Sequence, residues 1–181
     1  KIYDHGSIHL LRVSLEGEVE YMTEGKINVG LFGFSFDRTG SILAFTASDI
    51  MTPYELWIKD GKGMRRLTDM NRNLLRKLRL SEPEEFWFTA SDGVQVQGWI
   101  VKPQGFKEGE KYPTVLQIHG GPAYNDYGFV FAASEHEFQV LADHGFAVFY
   151  TNPSSPPGPV AGTNEIFFVH DGTHDDELSA Q

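Results

Sequence analysis

One compact group of residues in this chain could do chemistry: His119-Gly120-Gly121-Pro122, reached through the apolar run Thr114-Val-Leu-Gln-Ile118. A short apolar run that stops at two glycines reads as a buried strand ending in a tight turn. Glycines there leave backbone N–H groups uncovered. Such groups stabilise the negative oxygen of a tetrahedral acyl-transfer intermediate. A plain strand-to-loop turn is the other reading of the same four residues. Acyl transfer also needs a nucleophile, and no serine has glycine both two residues before and two residues after it; Ser35 has Gly33 before it but Asp37 after. The absence of cysteine excludes disulfides and thiol catalysis. His170 and His174 are spaced i,i+4 beside Asp171, Asp175, Asp176 and Glu177, which are metal-ligating types. A glycine-containing acidic end offers little scaffold to present them together, so no metal is expected.

The elements that must position the His-Gly-Gly turn lie on both sides of it. Before it, Phe86–Ala90 and Val94–Val101 read as two strands joined by Ser91-Asp-Gly93, with alternation at Val94 and Val96. After it, Ala123–Ala133 is aromatic, and Tyr124, Tyr127 and Phe129 either line a substrate pocket or cover the sheet edge. Glu135–His144 carries Phe138, Leu141 and Ala142 on one helical face, with Gly145 placed as its C-cap. Phe146–Tyr150 is then a buried strand. Strand, turn, helix, glycine, strand is a βαβ pattern, which predicts a mostly parallel sheet.

The first part of the chain reads differently. His9–Val13 and Val19–Tyr21 flank Glu16-Gly17, and Tyr54–Ile58 and Met64–Leu67 flank Asp60-Gly61, each followed by a threonine. Gly30–Phe36 and Ser41–Thr46 are two further strands between these hairpins. The hairpins repeat from Leu11 to Leu56, and four short strands in about 45 residues is a propeller-blade period. An ordinary antiparallel meander has the same local pattern. Asn71–Leu80 has leucines at helical spacing among basic residues and reads as a short amphipathic connector. Pro83 marks a boundary.

The 181 residues are 40% hydrophobic and 13% aromatic, enough for a core. No apolar run approaches the length of a membrane span, which is about 18 residues or more. The net charge of −10 is unevenly spread, because all 15 Lys and Arg lie at or before Lys111. An acidic second half argues against nucleic-acid binding. The chain starts at Lys1 with its first methionine at Met22, which suggests an excerpt of a longer protein.

Taken in order, Leu67-Thr-Asp69, Ser91-Asp-Gly93, Gly98-Trp-Ile-Val-Lys-Pro103, Ile118-His-Gly-Gly-Pro122, Gln139-Val-Leu-Ala142, Gly145-Phe-Ala-Val148 and Asn152 form a pattern. It resembles the prolyl oligopeptidase family of serine peptidases and looks closest to the acylaminoacyl peptidases. The resemblance covers residues 1 to about 152. It implies a β-propeller fragment (1–69), a linker (70–84) and the N-terminal part of an α/β-hydrolase domain (85–152). It also implies hydrolysis of N-acylated or short peptides without a cofactor. The backbone N–H groups of Gly121 and Gly120 would form part of the oxyanion hole, with His119 and Pro122 holding the loop.

The family pattern lapses after Asn152, where Pro153-Ser-Ser-Pro-Pro-Gly-Pro159 stands instead of Arg-Gly-Ser-x-Gly-Tyr-Gly. Residues 153–181 read as an atypical tail, a Pro-rich linker followed by one apolar patch, Ile166-Phe-Phe-Val169, and an acidic, solvated end, foreign to what precedes them. A shift of reading frame would produce such a change. In this fold the acid and base follow the serine, so the chain as written is expected to lack the whole triad and to be inactive. A non-catalytic peptide- or protein-binding module is the alternative. An open half-propeller and a sheet without its central strands predict self-association through unpaired edges. A cytoplasmic location is expected, with no nucleic-acid or membrane partner.

Overall fold

In the computed structural model the described residues are 1–118, 128–131, 136–152 and 165–169. The first part builds β1 (Ile2–Asp4), β2 (Ser7–His9), β3 (Leu11–Val13), β4 (Val19–Tyr21), β5 (Asn28–Phe36), β6 (Leu43–Asp49), β7 (Thr52–Asp60) and β8 (Gly63–Arg66). Six of these form one sheet in the order β1-β2-β5-β6-β7-β8, while β3 and β4 pair as a separate ribbon. Leu10, Ile27, Val29, Leu43, Phe45 and Ala47 are buried together, with Met22, Trp57 and Met64 packed against them. Among the described residues this sheet is open and closes no ring.

The two predicted hairpins are present, and they share a device that the strand pattern alone does not reveal. In the first, the Leu10 N–H donates to the Thr23 hydroxyl (3.0 Å) and the Met22 N–H to the Leu10 carbonyl (2.8 Å). In the second, the Leu56 N–H donates to the Thr68 hydroxyl (2.9 Å) and the Leu67 N–H to the Leu56 carbonyl (2.7 Å). A threonine hydroxyl thus takes the next bond of the ladder where backbone pairing ends. The structural equivalent of Leu56 is therefore Leu10, one position before the Leu11 chosen from the alternation. The first hairpin spans 13 residues between its bonded partners and the second 12.

The residue before each leucine is buried and polar. His9, 6% exposed, places Nδ1 3.2 Å from the Thr23 hydroxyl. Glu55, 2% exposed, accepts from the Thr68 hydroxyl, from the Met70 N–H (2.8 Å) and from the Asn71 N–H (3.4 Å). Glu55 thereby fastens the start of the connector to the first sheet.

The connector holds only one helical turn, α1 (Arg72–Leu75), with no buried residue. Leu74 and Leu78 stay 57% and 46% exposed. The helical spacing of the leucines therefore has no packed face to satisfy, and helix does not propagate far without one.

The second sheet contains β9 (Glu84–Thr89), β10 (Gln95–Val101), β11 (Thr114–Ile118), β12 (Ala147–Asn152) and β13 (Glu165–Val169), in the order β13-β11-β12-β10-β9. Between β11 and β12 lies α2 (His136–Asp143). Its end is a Schellman cap. Gly145, at φ 90°, donates to the Ala142 carbonyl, and the Phe146 N–H reaches the Leu141 carbonyl. Trp99, Val101, Phe129, Phe138, Ala142, Val148 and Tyr150 form the core beneath α2.

Two expectations are corrected here. Within the second sheet only β11–β12 is parallel; β9–β10, β10–β12 and β11–β13 are antiparallel. A parallel pair needs a crossover. Among the described elements of this second sheet α2 lies on the one crossover between parallel strands, whereas β9–β10 is a direct hairpin. Residues 165–169, which hold the apolar patch of a tail expected to be foreign to the rest of the chain, form β13 along the free edge of β11. An unpaired apolar edge strand is a standing acceptor for another strand, and an apolar segment of the same chain supplies it. The Pro-rich stretch 153–159 and the acidic end 170–181 lie outside the described residues.

Candidate functional site

The parallel pair sets the site. β11 and β12 run side by side with Thr114 opposite Ala147 and Ile118 opposite Thr151, so their carboxyl ends meet at one edge of the sheet. In α/β sheets ligands bind at that edge. The segment His119-Gly120-Gly121-Pro122 follows directly on β11. These four residues, with Tyr124 and Tyr127, lie outside the described residues. Phe129 lies within them. It is 5% exposed and meets Trp99 edge to face, with ring centroids 5.8 Å apart.

Around this end of the sheet the structure gathers polar groups that sequence reasoning did not single out. Gln97, 5% exposed, is the register partner of Asn152 at the end of β12. Its amide donates to Glu85 Oε1 at 2.8 Å and to the carbonyl of His5 at 2.9 Å. Glu85 also accepts from Trp87 Nε1 (2.9 Å) and pairs with Lys26 Nζ (2.7 Å). Burial pushes the Glu85 carboxyl up, but hydrogen bonds from Lys26, Gln97 and Trp87 and the Lys26 charge outweigh it. The carboxyl is held below its ordinary range and stays ionised. Lys26 Nζ also stands 4.9 Å from the centre of the Phe129 ring.

His5, Gly6 and Lys26 come from the first sheet, and the other members of this group from the second. His5 and Gly6 are the tip of the β1–β2 hairpin, which closes with Asp4 opposite Ser7. Both have positive φ, 47° and 75°. A two-residue loop of that conformation matches the twist of its strands. The tip enters the second sheet. The Phe129 N–H donates to the Gly6 carbonyl at 2.7 Å, and the His5 ring meets Trp87 edge to face at 5.5 Å. The His-Gly dipeptide before an alternating run was the available sequence signal for this hairpin. Its docking partner had no local signal.

Among the described residues no group of three or more His, Cys, Asp or Glu could hold a metal ion, and no helix is long and apolar enough to cross a membrane. His170 and His174 lie outside the described residues.

No family model matches the chain. It is 37% identical over 156 residues to the uncharacterized peptidase YuxL of Bacillus subtilis, a match covering 86% of this chain and 23% of that protein. It is 24% identical over 161 residues to dipeptidyl-peptidase 5 of Porphyromonas endodontalis, covering 87% and 22%. Among solved structures, an acylaminoacyl peptidase bound to Z-Gly-Gly-Phe-chloromethyl ketone superimposes with TM-score 0.68 at 35% identity, covering 83% of this chain and 22% of that one. The acylaminoacyl peptidase of Pyrococcus horikoshii gives 0.67 at the same identity. The chain thus spans less than a quarter of the length of these relatives.

Proposed function

This chain is related to peptidases of the prolyl oligopeptidase family, and we propose on that premise that it is the junction segment of a serine peptidase. In this reading the open first sheet is the end of a β-propeller. The second sheet is the opening of an α/β-hydrolase domain. The substrates are N-acylated or short peptides. Backbone N–H groups of Gly120 and Gly121 stabilise the tetrahedral oxyanion, His119 and Pro122 hold that loop, and Tyr124 and Tyr127 face the peptide.

The observation that carries this reading is the parallel pair β11–β12, whose carboxyl ends meet at Ile118 and Thr151. The His-Gly-Gly-Pro segment follows β11 directly in the sequence, and sheets of this kind place their chemistry at the carboxyl ends of their strands. Phe129 is packed into the core, so its role is to support the wall behind any substrate pocket.

The chain as written carries no Gly-x-Ser-x-Gly, and we propose that by itself it does not hydrolyse peptides. An oxyanion loop without nucleophile and base retains only a small part of the rate enhancement of such a site. The test is a serine-directed fluorophosphonate probe on the purified chain. No labelling is expected, and stoichiometric labelling would overturn the inactivity. Specific peptide binding without labelling would point instead to a binding module. Reading the coding DNA past Asn152 in all three frames tests the parentage. Recovery of Arg-Gly-Ser-x-Gly-Tyr-Gly and a later Gly-x-Ser-x-Gly in another frame is expected, and their absence from every frame would count against a peptidase parent.

A further inference from the structure

A groove of about 560 Å³ lies between the last residues of the connector and α2. That volume falls in the range of small-ligand sites, about 300–1,000 Å³. Its walls are mostly apolar, from Leu78, Leu80, Phe131 and Val140. Bonds between the two walls fix their spacing. Gln139 Oε1 accepts from the Ser81 N–H and Gln139 Nε2 donates to the Ser81 carbonyl, both at 2.8 Å. Gln104 Nε2 donates to the Arg79 carbonyl and to the Ser81 hydroxyl, each at 3.0 Å. Arg79 pairs with Asp143 at 2.7 Å. A groove held in this way costs little to order around a ligand. Asp143, the last residue of α2, leads through residues 144–146 into Ala147, the first of β12. The groove therefore lies toward the amino end of β12, away from the edge where β11 and β12 finish.

The negative features of the lining are already met. Asp143 has Arg79. At the end of α2 the Val140 carbonyl accepts from His144 Nδ1 (2.8 Å), the Leu141 carbonyl from the Phe146 N–H (3.0 Å), and the Ala142 carbonyl from the N–H groups of Gly145 (3.2 Å) and Gln104 (3.1 Å). Lys77 also lines the groove and, among the described residues, forms no ion pair. Apolar walls beside one uncompensated ammonium select a ligand with an apolar body and a single negative end. We propose that this groove binds a single-chain carboxylate, its tail against Leu78, Leu80, Phe131 and Val140 and its carboxylate at Lys77. Burial of the tail supplies affinity without regard to charge, and Lys77 adds the preference for an anion. Such a site stands apart from the peptidase reading, since it uses none of the residues assigned there.

The experiment titrates the full 181-residue chain with decanoate, decanol and decyltrimethylammonium, each below the concentration at which it self-associates, and follows the amide shifts residue by residue. Decanoate should saturate and move Leu78, Val140 and Asp143 most. Decanol should bind about fivefold more weakly, and decyltrimethylammonium more weakly still. Lys77→Met should weaken decanoate about fivefold and leave decanol unchanged, and Lys77→Arg should keep the parent preference. Val140→Asp, at an exposed wall position, should weaken decanoate and decanol about tenfold or more. The assignment fails if decanol matches decanoate on the parent chain, if Lys77→Met weakens both alike, or if no titration saturates. It fails equally if the largest shifts fall elsewhere, such as on Phe86, Phe88 and Phe149. Shifts at Leu78 and Val140 that follow protein concentration without any ligand would give the groove to a second copy of the chain and overturn it. Should Val140→Asp not fold, the Lys77 pair decides alone.

Discussion

The two threonine-locked hairpins use one backbone device in two dielectric settings. At the first, Thr23 is fully buried and Leu10 and His9 are 5% and 6% exposed. At the second, Glu55 is 2% exposed, but the neighbouring Leu56 is 39% exposed. A fully dry setting favours a neutral partner for the hydroxyl, and an imidazole is one. A buried carboxylate is tolerated only when several donors meet its charge. Glu55 has three, one of them the lock itself and two from the connector beyond β8. The difference teaches that the repeat conserves the hydrogen bond that ends the ladder, while the side chain beside it follows local burial and what else must be tied down.

The largest effect should come from the charged copy. Glu55→Ala leaves the Thr68 hydroxyl and two backbone N–H groups without their acceptor and should cost about 3 kcal/mol, measured by denaturant unfolding. A cost no greater than that of Thr68→Val would erase the distinction between the copies.

Next is the dry lock. Thr23→Val strands the Leu10 N–H in the interior and should cost about 1–2 kcal/mol, with Thr23→Ser recovering most of it. Thr68→Val should cost about 1 kcal/mol or less, because water reaches the Leu56 side of that lock. If the two valine variants reversed in order, burial would not be what separates the hairpins.

Acid should separate the copies by window. Burial holds the His9 imidazole below its ordinary value of 6.5, with the Asp4 charge pulling the other way. At Glu55 burial raises the carboxyl, but Thr68, Asn71, Met70 and the Arg66 charge together bring it below its ordinary 4.5. Both groups bind protons less readily in the folded state, so each contributes stability that is lost on acidification. The His9 part fades as pH falls below 6.5, and the Glu55 part only below 4.5. Melting temperatures of His9→Gln and Glu55→Gln against the parent, followed from pH 7.5 to 3.5, should show each variant removing its own step and not the other.

Much of the strand order along the chain was legible from alternation and turns. Val94–Val101, Thr114–Ile118 and the helix ending at Gly145 are found within a few residues of where pattern places them. These features depend on neighbours within a turn or a hairpin, which a sequence displays directly. Sheet direction was misread because one βαβ unit was extended to the whole sheet, whereas β9–β10 and the added β13 are antiparallel. The connector helix was overextended because its leucines have spacing but no surface to bury against. At the candidate site β11 was legible, but the roles of Glu85, Gln97 and Lys26 were not. Lys26 lies 59 residues from Glu85, and none of the three belongs to a motif.

By itself the sequence determined the local grammar of this protein: two hairpins each with a threonine after its second strand, an apolar strand leading into His-Gly-Gly, and a glycine-capped helix. It also determined what is chemically missing, since no fold can create a Gly-x-Ser-x-Gly that the residues lack. Only the tertiary structure decided that the His5-Gly6 tip reaches Phe129, that Glu85 gathers Lys26, Trp87 and Gln97, and that β13 covers β11. Turns and caps are short-range terms, set by φ preferences and adjacent donors. The junction depends on two backbones meeting without a Cβ between them and on charges brought together across the chain, and neither can be read before the chain has folded.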